Sequence, residues 1–374
     1  MTRLGLLYFV LLGAGGAWVP FLALHLERAG QSEAIGTMLV VMGLARVVAG
    51  PLWGIVADWT RRDGPLLALG SGITAALGAA VIFAPSPLWI VPLLALHATC
   101  RAPLGALLDG TTVRRLEAQG RPEDYGRVRR WGSVGYLVAG LVAGAVAESG
   151  VTRALGLAVA GWALTALLAA RSPSGPPAPP APLGPAIRAA ARNPRVLALL
   201  AVAVLHGASL ATYDSLYAVH LDSLGIASRW AGLALTAGVA VEVAAFTYSD
   251  RLIARVGPWT MILLATLSGV IRWELTAWAH DPYLLTAVQL IHGVTFGFFW
   301  LGVVEAVRRE VPEALRMSSQ ALLVATTYGL GPSLCGAIAS WVLPVGGTER
   351  VFTIGASLCI MAGIITVSAR RKGA

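Results

Sequence analysis

Apolar runs of about 20 residues recur along the whole chain, and they limit its possible folds more than any other feature of the sequence. Only 13% of the 374 residues are charged, whereas a soluble protein has about a quarter, and the mean hydropathy is +0.72. In a bilayer every backbone polar group needs a partner within the protein, which leaves helices and closed barrels. The runs lack the alternation of barrel strands, so they predict an all-α membrane protein. We place the spans at 4–26, 33–57, 65–85, 87–109, 127–147, 152–170, 196–221, 230–249, 258–279, 283–304, 317–343 and 351–369.

The positive charges are distributed unevenly between the connections of these spans. The termini and the connections after even-numbered spans hold 21 Lys and Arg residues, whereas the connections after odd-numbered spans hold 4. The positive-inside rule therefore predicts that both termini are cytoplasmic and that the protein crosses the inner (plasma) membrane several times. The net charge of +9 reflects this topology, so we expect the lipid bilayer and not nucleic acid as a partner.

An internal repeat divides the chain into two halves. His25 and Gly30 recur as His220 and Gly225, 195 residues later, each pair at the polar end of an apolar run. Between the halves, seven prolines at 173–185 favour an extended spacer. We predict an N-terminal six-helix bundle at 1–171, a proline-rich cytoplasmic linker at 172–193 and a C-terminal six-helix bundle at 194–374.

The loop after the second span carries a recognisable motif. Residues 54–58 read G-x-x-x-D, and Arg61, Arg62 and Gly64 follow, which resembles the signature loop of the major facilitator superfamily. Trp59 stands where that motif usually has an arginine. The stretches at 125–135 and 289–297 are similar to the branch of phenylpropionate permeases and nucleoside-proton symporters, which is distantly like lactose permease.

This resemblance implies twelve transmembrane helices in two pseudo-symmetric six-helix bundles, with the substrate site between the halves. It also implies secondary transport of a small organic solute by alternating access, as symport coupled to protons. Organic or aromatic acids, nucleosides and sugars all remain open as substrates. Two alternatives stay open as well: a proton-antiport exporter of drugs, siderophores or other metabolites, and a receptor or scaffold that does not transport.

Ionisable and polar residues within the spans are the candidate site residues, because a charge at the bilayer centre costs about 2.5–3.5 kcal/mol. A guanidinium matches a carboxylate with a planar fork of donors, and buried carboxyls can exchange protons as their surroundings change. The alternative for each is a structural ion pair. The predicted substrate-binding residues are Arg46, Arg101, Asp214, Glu242, Gln289, His292 and Trp300.

Proton coupling is predicted for Glu242 and Asp109, and gating for a group of charges near the cytoplasmic side. Those gating residues are Asp58, Arg61, Arg62, Asp109, Arg127 and Arg130. Arg272 and Glu274 lie two residues apart on one helix and must diverge, so we expect a structural or lipid-edge role for them.

The sequence contains no motif of an enzyme. It has no phosphate-binding Walker loop, no Cys/His spacing that suits a metal and no nucleophile in a recognisable turn. We therefore predict a non-enzymatic, monomeric carrier without cofactor or metal, whose partners are its substrate, protons and lipid.

Overall fold

The computed structural model describes residues 3–60, 63–170 and 183–371, except for the side chains of 50–52, 54–60, 63, 122, 183 and 317. Within these ranges the secondary structure is helical and no strand occurs. The α-helices are α1 Arg3–Arg28, α2 Glu33–Thr60, α3 Asp63–Ile82, α4 Pro87–Arg101, α5 Leu104–Ala118, α6 Tyr125–Ala147, α7 Val151–Ala170, α8 Leu183–Arg192, α9 Pro194–Ser223, α10 Arg229–Thr247, α11 Ser249–Val256, α12 Pro258–Trp278, α13 Pro282–Val288, α14 Phe299–Glu310, α15 Arg316–Ala325 and α16 Gly331–Arg371. Two π-helical turns, Gly293–Phe298 and Thr326–Leu330, precede α14 and α16.

Ten helical segments in the described ranges are long and apolar enough to cross a membrane. The last of them, Ser318–Arg371, is 54 residues long and covers two of the predicted spans. Gly347 interrupts its helical geometry with a φ of 63°, which only glycine adopts without strain. The all-helical membrane fold is thus confirmed, while the number of twelve spans and the cytoplasmic termini stay predictions.

The chain forms two compact units. Unit 1 comprises Met1–Pro180 with Ala227–Leu233, and unit 2 comprises Ala181–Ile226 with Ala234–Ala374. Most of the proline-rich segment lies outside the described residues, but the end of the predicted linker forms the helix α8. Pro185 occupies the first turn of α8, where a helix tolerates a missing N–H. The predicted linker boundaries themselves stay a prediction.

Each unit is built around a close helix pair, and the two pairs correspond. In unit 1, α1 packs on α6 at Gly16, where a Cβ would overlap the carbonyl oxygen of Tyr136. In unit 2, α9 packs at Gly207 on the π-helical turn before α16, where a Cβ would overlap the carbonyl oxygen of Thr327. Both glycines and both carbonyls are 191 residues apart, so the internal repeat extends from sequence to packing.

The repeated histidines hold equivalent helix ends in the two units. His220 in α9 contacts the carbonyl oxygen of Thr276 in α12 through Nε2 at 2.9 Å. His25 in α1 bonds the backbone of Ile82 at the end of α3. Because Ile82 and Thr276 are 194 residues apart, the same pair of helices is tied together in each half.

Candidate functional site

A fully buried arginine organises the polar cluster of unit 2. Arg272 in α12 donates from Nε and Nη2 to Oε1 of Gln289, at 2.9 and 2.7 Å. Its Nη1 lies 3.0 Å from Nδ1 of His292. The guanidinium carbon also lies 4.3 Å from the ring centroids of both Tyr213 and Trp273, a cation–π distance. These contacts replace the hydration that the cation loses on burial.

The chain between α13 and α14 leaves regular α-helical geometry where this cluster forms. A 3₁₀ turn at Gln289–Ile291 carries the glutamine, and the π-helical turn Gly293–Phe298 begins directly after His292. Residues three apart lie on one side of a helical segment, so Gln289 and His292 face Arg272 together. Short π-helical segments are frequent at functional sites, which makes this stretch a candidate.

Helix α10 approaches the same turn closely and brings a carboxylate to it. A Cβ at Gly238 would lie 3.0 Å from Cβ of His292, and one at Gly293 would overlap Val241. This approach places Oε2 of Glu242 at 3.3 Å from Nε2 of His292, with side-chain exposures of 18% and 9%.

The remaining groups of Gln289 are also used. Its Nε2 donates to the carbonyl oxygen of Leu285 at 3.0 Å and to Oγ1 of Thr276 at 3.4 Å.

Asp214 in α9 is half-buried and lies within electrostatic reach of Arg272 and His292. The structure therefore brings Asp214, Glu242, Gln289 and His292, four of the seven predicted substrate-binding residues, to one cluster around an arginine that was not among them.

Arg101 is the centre of a second cluster, in unit 1. Its guanidinium carbon lies 5.8 Å from the Trp162 ring, and its Nη2 would be 3.1 Å from a Cβ at Gly15. With the described residues it forms no hydrogen bond and no ion pair. Arg46, half-buried in α2, is near enough to repel it electrostatically. The donors of Arg101 that no described residue uses suit an anionic or hydroxyl-rich ligand.

The histidines of the two clusters are related by the repeat. His97 and His292 are 195 residues apart, as are the aromatic residues Trp18 and Tyr213 that lie against them. The Trp18 and His97 rings stack at 4.7 Å, and the Tyr213 and His292 rings are tilted at 5.9 Å. His97 is fully buried, and among the described residues neither of its ring nitrogens has a hydrogen-bond partner.

Asp109 binds three side chains within unit 1. Its Oδ1 accepts from the hydroxyls of Tyr8 at 2.5 Å and Tyr125 at 3.0 Å. Arg129 Nε lies 3.4 Å from the same oxygen, and its guanidinium carbon is 5.4 Å from the Tyr8 ring. One carboxylate thereby ties together α1, α5 and the first turn of α6.

The two arginines predicted to gate with Asp109 lie elsewhere. Arg127 is exposed and pairs with Asp124 at 3.2 Å, and Arg130 is also exposed. The pKa of Asp124 is held below its usual value, first by the hydrogen bond from Arg121 and then by Arg127. Helical phase explains the difference, because Arg129 is the member of this group that faces α1.

Of the remaining predicted site residues, the structure describes the side chain of Trp300 but not those of Asp58, Arg61 and Arg62. Trp300 in α14 is half-buried, and its ring centroid lies 5.4 Å from that of Tyr328. Arg61, Arg62 and the side chain of Asp58 lie outside the described residues.

The side chains of Arg272 and Glu274 diverge as predicted, but only Arg272 is buried within unit 2. Arg272 is fully buried in the cluster, whereas Glu274 accepts a hydrogen bond from the exposed Trp278 at 3.1 Å. The arginine therefore lies inside unit 2 and not at a lipid edge. A signal for this was present in the sequence, since a charge in mid-span needs partners and Gln289 and His292 form the nearest polar stripe.

Comparison with known proteins gives matches over almost the whole chain. The sequence profile of the MFS_1 like family matches residues 1–354. The chain is 30% identical over 380 residues to a maltose permease of Geobacillus stearothermophilus, covering 98% of this chain and 93% of that protein. It is 27% identical over 336 residues to a probable 3-phenylpropionic acid transporter of Escherichia coli (strain K12), covering 87% and 86%. The crystal structure of the nucleoside transporter NupG matches the fold with a TM-score of 0.86 at 20% identity, covering 98% of each chain.

Proposed function

Because the chain belongs to the MFS_1 like family of membrane transporters, we propose that it moves a small organic solute inward together with protons. The observation that supports proton coupling is the ionisable cluster of Glu242, His292 and Arg272 inside unit 2. Ionisable groups at membrane depth are costly, and in transporters they commonly serve proton relays or substrate pathways. Glu242 is the proposed proton site, since a carboxyl can take up and release a proton as its surroundings change.

Arg101 and Arg46 are the proposed recognition residues for the solute. The guanidinium of Arg101 has donors that no described residue uses, and such a group matches a carboxylate or the hydroxyls of a sugar. The relatives are a maltose permease, a probable 3-phenylpropionic acid transporter and a nucleoside permease, so the class proposed here is organic acid, nucleoside or sugar. Asp214, Gln289 and Trp300 complete the proposed binding set.

We further propose that the protein works by alternating access and that Asp109 belongs to its gate. The two tyrosines and the arginine that bind Asp109 connect three helices of unit 1, so protonation or loss of that carboxylate would loosen all three. Asp58, Arg61, Arg62, Arg127 and Arg130 remain proposed gate residues. Location in a bacterial inner membrane, a monomeric state and cytoplasmic termini are part of the same proposal.

A binding screen followed by uptake tests this function. Purified protein is heated with maltose, uridine or 3-phenylpropionate, because a ligand that binds only the folded protein raises its apparent stability. The ligand that does so is then offered to proteoliposomes with an inward proton gradient. We expect accumulation that an uncoupler abolishes.

The Glu242→Gln variant is the matched test of the proton site, since the amide keeps the shape of the carboxyl but cannot ionise. We expect it to exchange solute across the membrane without accumulating it. Full gradient-driven accumulation by this variant would contradict the proposed coupling site. Flux in the outward direction under an opposed gradient, measured in inverted vesicles, would instead identify the exporter, and binding without any flux would identify a receptor.

A further inference from the structure

The contact between Arg272 and His292 determines which nitrogen of the imidazole carries the proton. A guanidinium has five N–H donors and no acceptor, and it stays protonated in proteins. Nη1 of Arg272 lies 3.0 Å from Nδ1 of His292, which is hydrogen-bond distance. Nδ1 must therefore accept this bond with its lone pair, and the hydrogen of the neutral ring resides on Nε2.

The other side of the ring agrees with this assignment. Nε2 faces Oε2 of Glu242 at 3.3 Å, and a carboxylate is an acceptor. When Glu242 is protonated, its carbonyl oxygen can still accept the Nε2–H. The ring can therefore keep one tautomer in both protonation states of its neighbour.

We propose that Arg272 is a positioning residue that locks His292 in the neutral Nε2–H tautomer, which leaves Glu242 as the group that carries the proton. The identity of the carrier rests on the proposed proton-coupled function, whereas the tautomer of His292 is independent of it. The sequence pattern alone does not distinguish His292 from Glu242 as the group that carries the proton, whereas this assignment does.

Protonation of His292 would require a second hydrogen where Arg272 already donates. An Nδ1–H would point at the Nη1–H, and the imidazolium would place two cations in contact inside unit 2. Glu242 contacts the ring, Asp214 lies within electrostatic reach of it, and His206 in α9 is a further titratable group near Arg272. The direct contact with a fixed cation opposes protonation at Nδ1, the one nitrogen of the neutral ring that carries no hydrogen.

Two features keep Arg272 from turning away from the ring. Its Nε and Nη2 are both held by Oε1 of Gln289, and the guanidinium plane is enclosed by Tyr213 and Trp273 at 4.3 Å each. A planar fork fixed at two nitrogens leaves the third pointing in one direction.

Unit 1 provides an internal comparison without the lock. His97 occupies the position 195 residues before His292, but Gly78 stands 194 residues before Arg272. Trp18 and Trp162 lie against Gly78 and fill that side of unit 1. His97 accordingly has no hydrogen-bond partner at either nitrogen among the described residues, so the lock belongs to unit 2.

Nitrogen NMR of the histidine side chains tests the lock without any substrate. The full-length protein is labelled with ¹⁵N-histidine in lipid nanodiscs, and its six histidines are followed from about pH 5 to 8, the range in which an ordinary histidine titrates. The signals of His292 are those missing from the His292→Gln spectrum. We expect an unprotonated Nδ1, a protonated Nε2 and no change across this range.

An Nδ1–H signal for His292 in the wild-type protein, or a ring that becomes doubly protonated within this range, would overturn the proposal. Arg272→Gln should release the ring, so that both tautomers appear or the ring titrates. Arg308→Gln is the control, since Arg308 is exposed and pairs with Glu305, and it should leave the His292 signals unchanged. If Arg272→Gln does not fold, the wild-type spectrum alone decides.

The lock and the transport function fail in different experiments. If His292 keeps one tautomer but the Glu242→Gln variant still accumulates solute on a proton gradient, the tautomer proposal is supported and Glu242 is refuted as the proton carrier. If His292 titrates and only the Glu242→Gln variant loses accumulation, the lock is refuted and the proposed transport function is supported.

Discussion

The substitution Gln289→Leu should destabilise the protein more than any ordinary polar-to-apolar change in a membrane helix. Leucine has a similar volume but removes the oxygen that accepts two bonds from Arg272. The guanidinium is fully buried, so two of its three nitrogens would then face apolar side chains. Removing one partner of a buried charge costs about 3–5 kcal/mol.

The size of the loss identifies its cause. Hydrogen bonds between side chains in membrane proteins contribute about 0.6 kcal/mol on average, so loss of polar contact alone would be small. The measurement is unfolding of the purified protein in mixed micelles by increasing amounts of a denaturing detergent. A loss near 0.6 kcal/mol, or none, would show that Arg272 is not held as a buried cation by Gln289 and would refute this reasoning.

Gln289→Glu is the matched variant. It keeps an oxygen for both Arg272 donors but removes the Nε2 donor that contacts Leu285 and Thr276. The Leu285 carbonyl retains the hydroxyl of Tyr217 at 3.1 Å, and the Thr276 hydroxyl retains its own bond to the carbonyl oxygen of Arg272 at 2.8 Å, so the only loss is one long contact to Thr276 Oγ1. We therefore expect a much smaller loss than for Gln289→Leu, and equal losses would point to packing and not to charge.

Three further predictions concern other parts of the chain. Asp109→Ala leaves two tyrosine hydroxyls and a guanidinium without their acceptor and should cost about 1–3 kcal/mol in the same unfolding assay, whereas Asp109→Asn should cost less. Gly207→Ala forces a methyl group against the carbonyl oxygen of Thr327 and should lower the free energy of unfolding by about 1–3 kcal/mol. Gly156→Ala, where a methyl group would meet nothing within 4 Å, should leave it unchanged, and equal effects of the two changes would contradict the close helix pair. Arg101→Gln should weaken binding of 3-phenylpropionate about tenfold, or about 1.4 kcal/mol, but leave binding of its uncharged amide unaltered, and an equal loss for both would exclude a charge contact.

The class of fold could be predicted because every span repeats the same apolar pattern, and the family could be predicted because its motif is a short, continuous stretch of sequence. Long apolar runs and the motif at 54–64 were sufficient, and the predicted branch is confirmed by relatives that include a probable 3-phenylpropionic acid transporter and a nucleoside permease. The repeat of His25 and His220 also corresponds to equivalent contacts in the two units.

The arrangement of the polar cluster could not be predicted, because its contacts are not local in the sequence. Arg272 meets residues 17 and 20 positions later on another helical segment, and its neighbour Glu274 suggested a lipid edge. The π-helical turn that orients His292 has no signature that propensity alone reveals.

The partners of Asp109 show the same limit. Arginines at 127, 129 and 130 are equally near in sequence, and only the phase of α6 selects Arg129. The hydroxyl of Tyr8 comes from 101 residues away, so it required the packing of α1 against α5.

Proton movement that accompanies solute is the most direct test of the transport account. Proteoliposomes loaded with a pH-sensitive dye receive the solute identified by thermal shift, with no imposed gradient and with the membrane potential clamped. The account predicts that the lumen acidifies in step with solute entry for the wild type, and that Glu242→Gln admits solute without acidification. Solute entry into wild-type liposomes with no change in lumenal pH would contradict it.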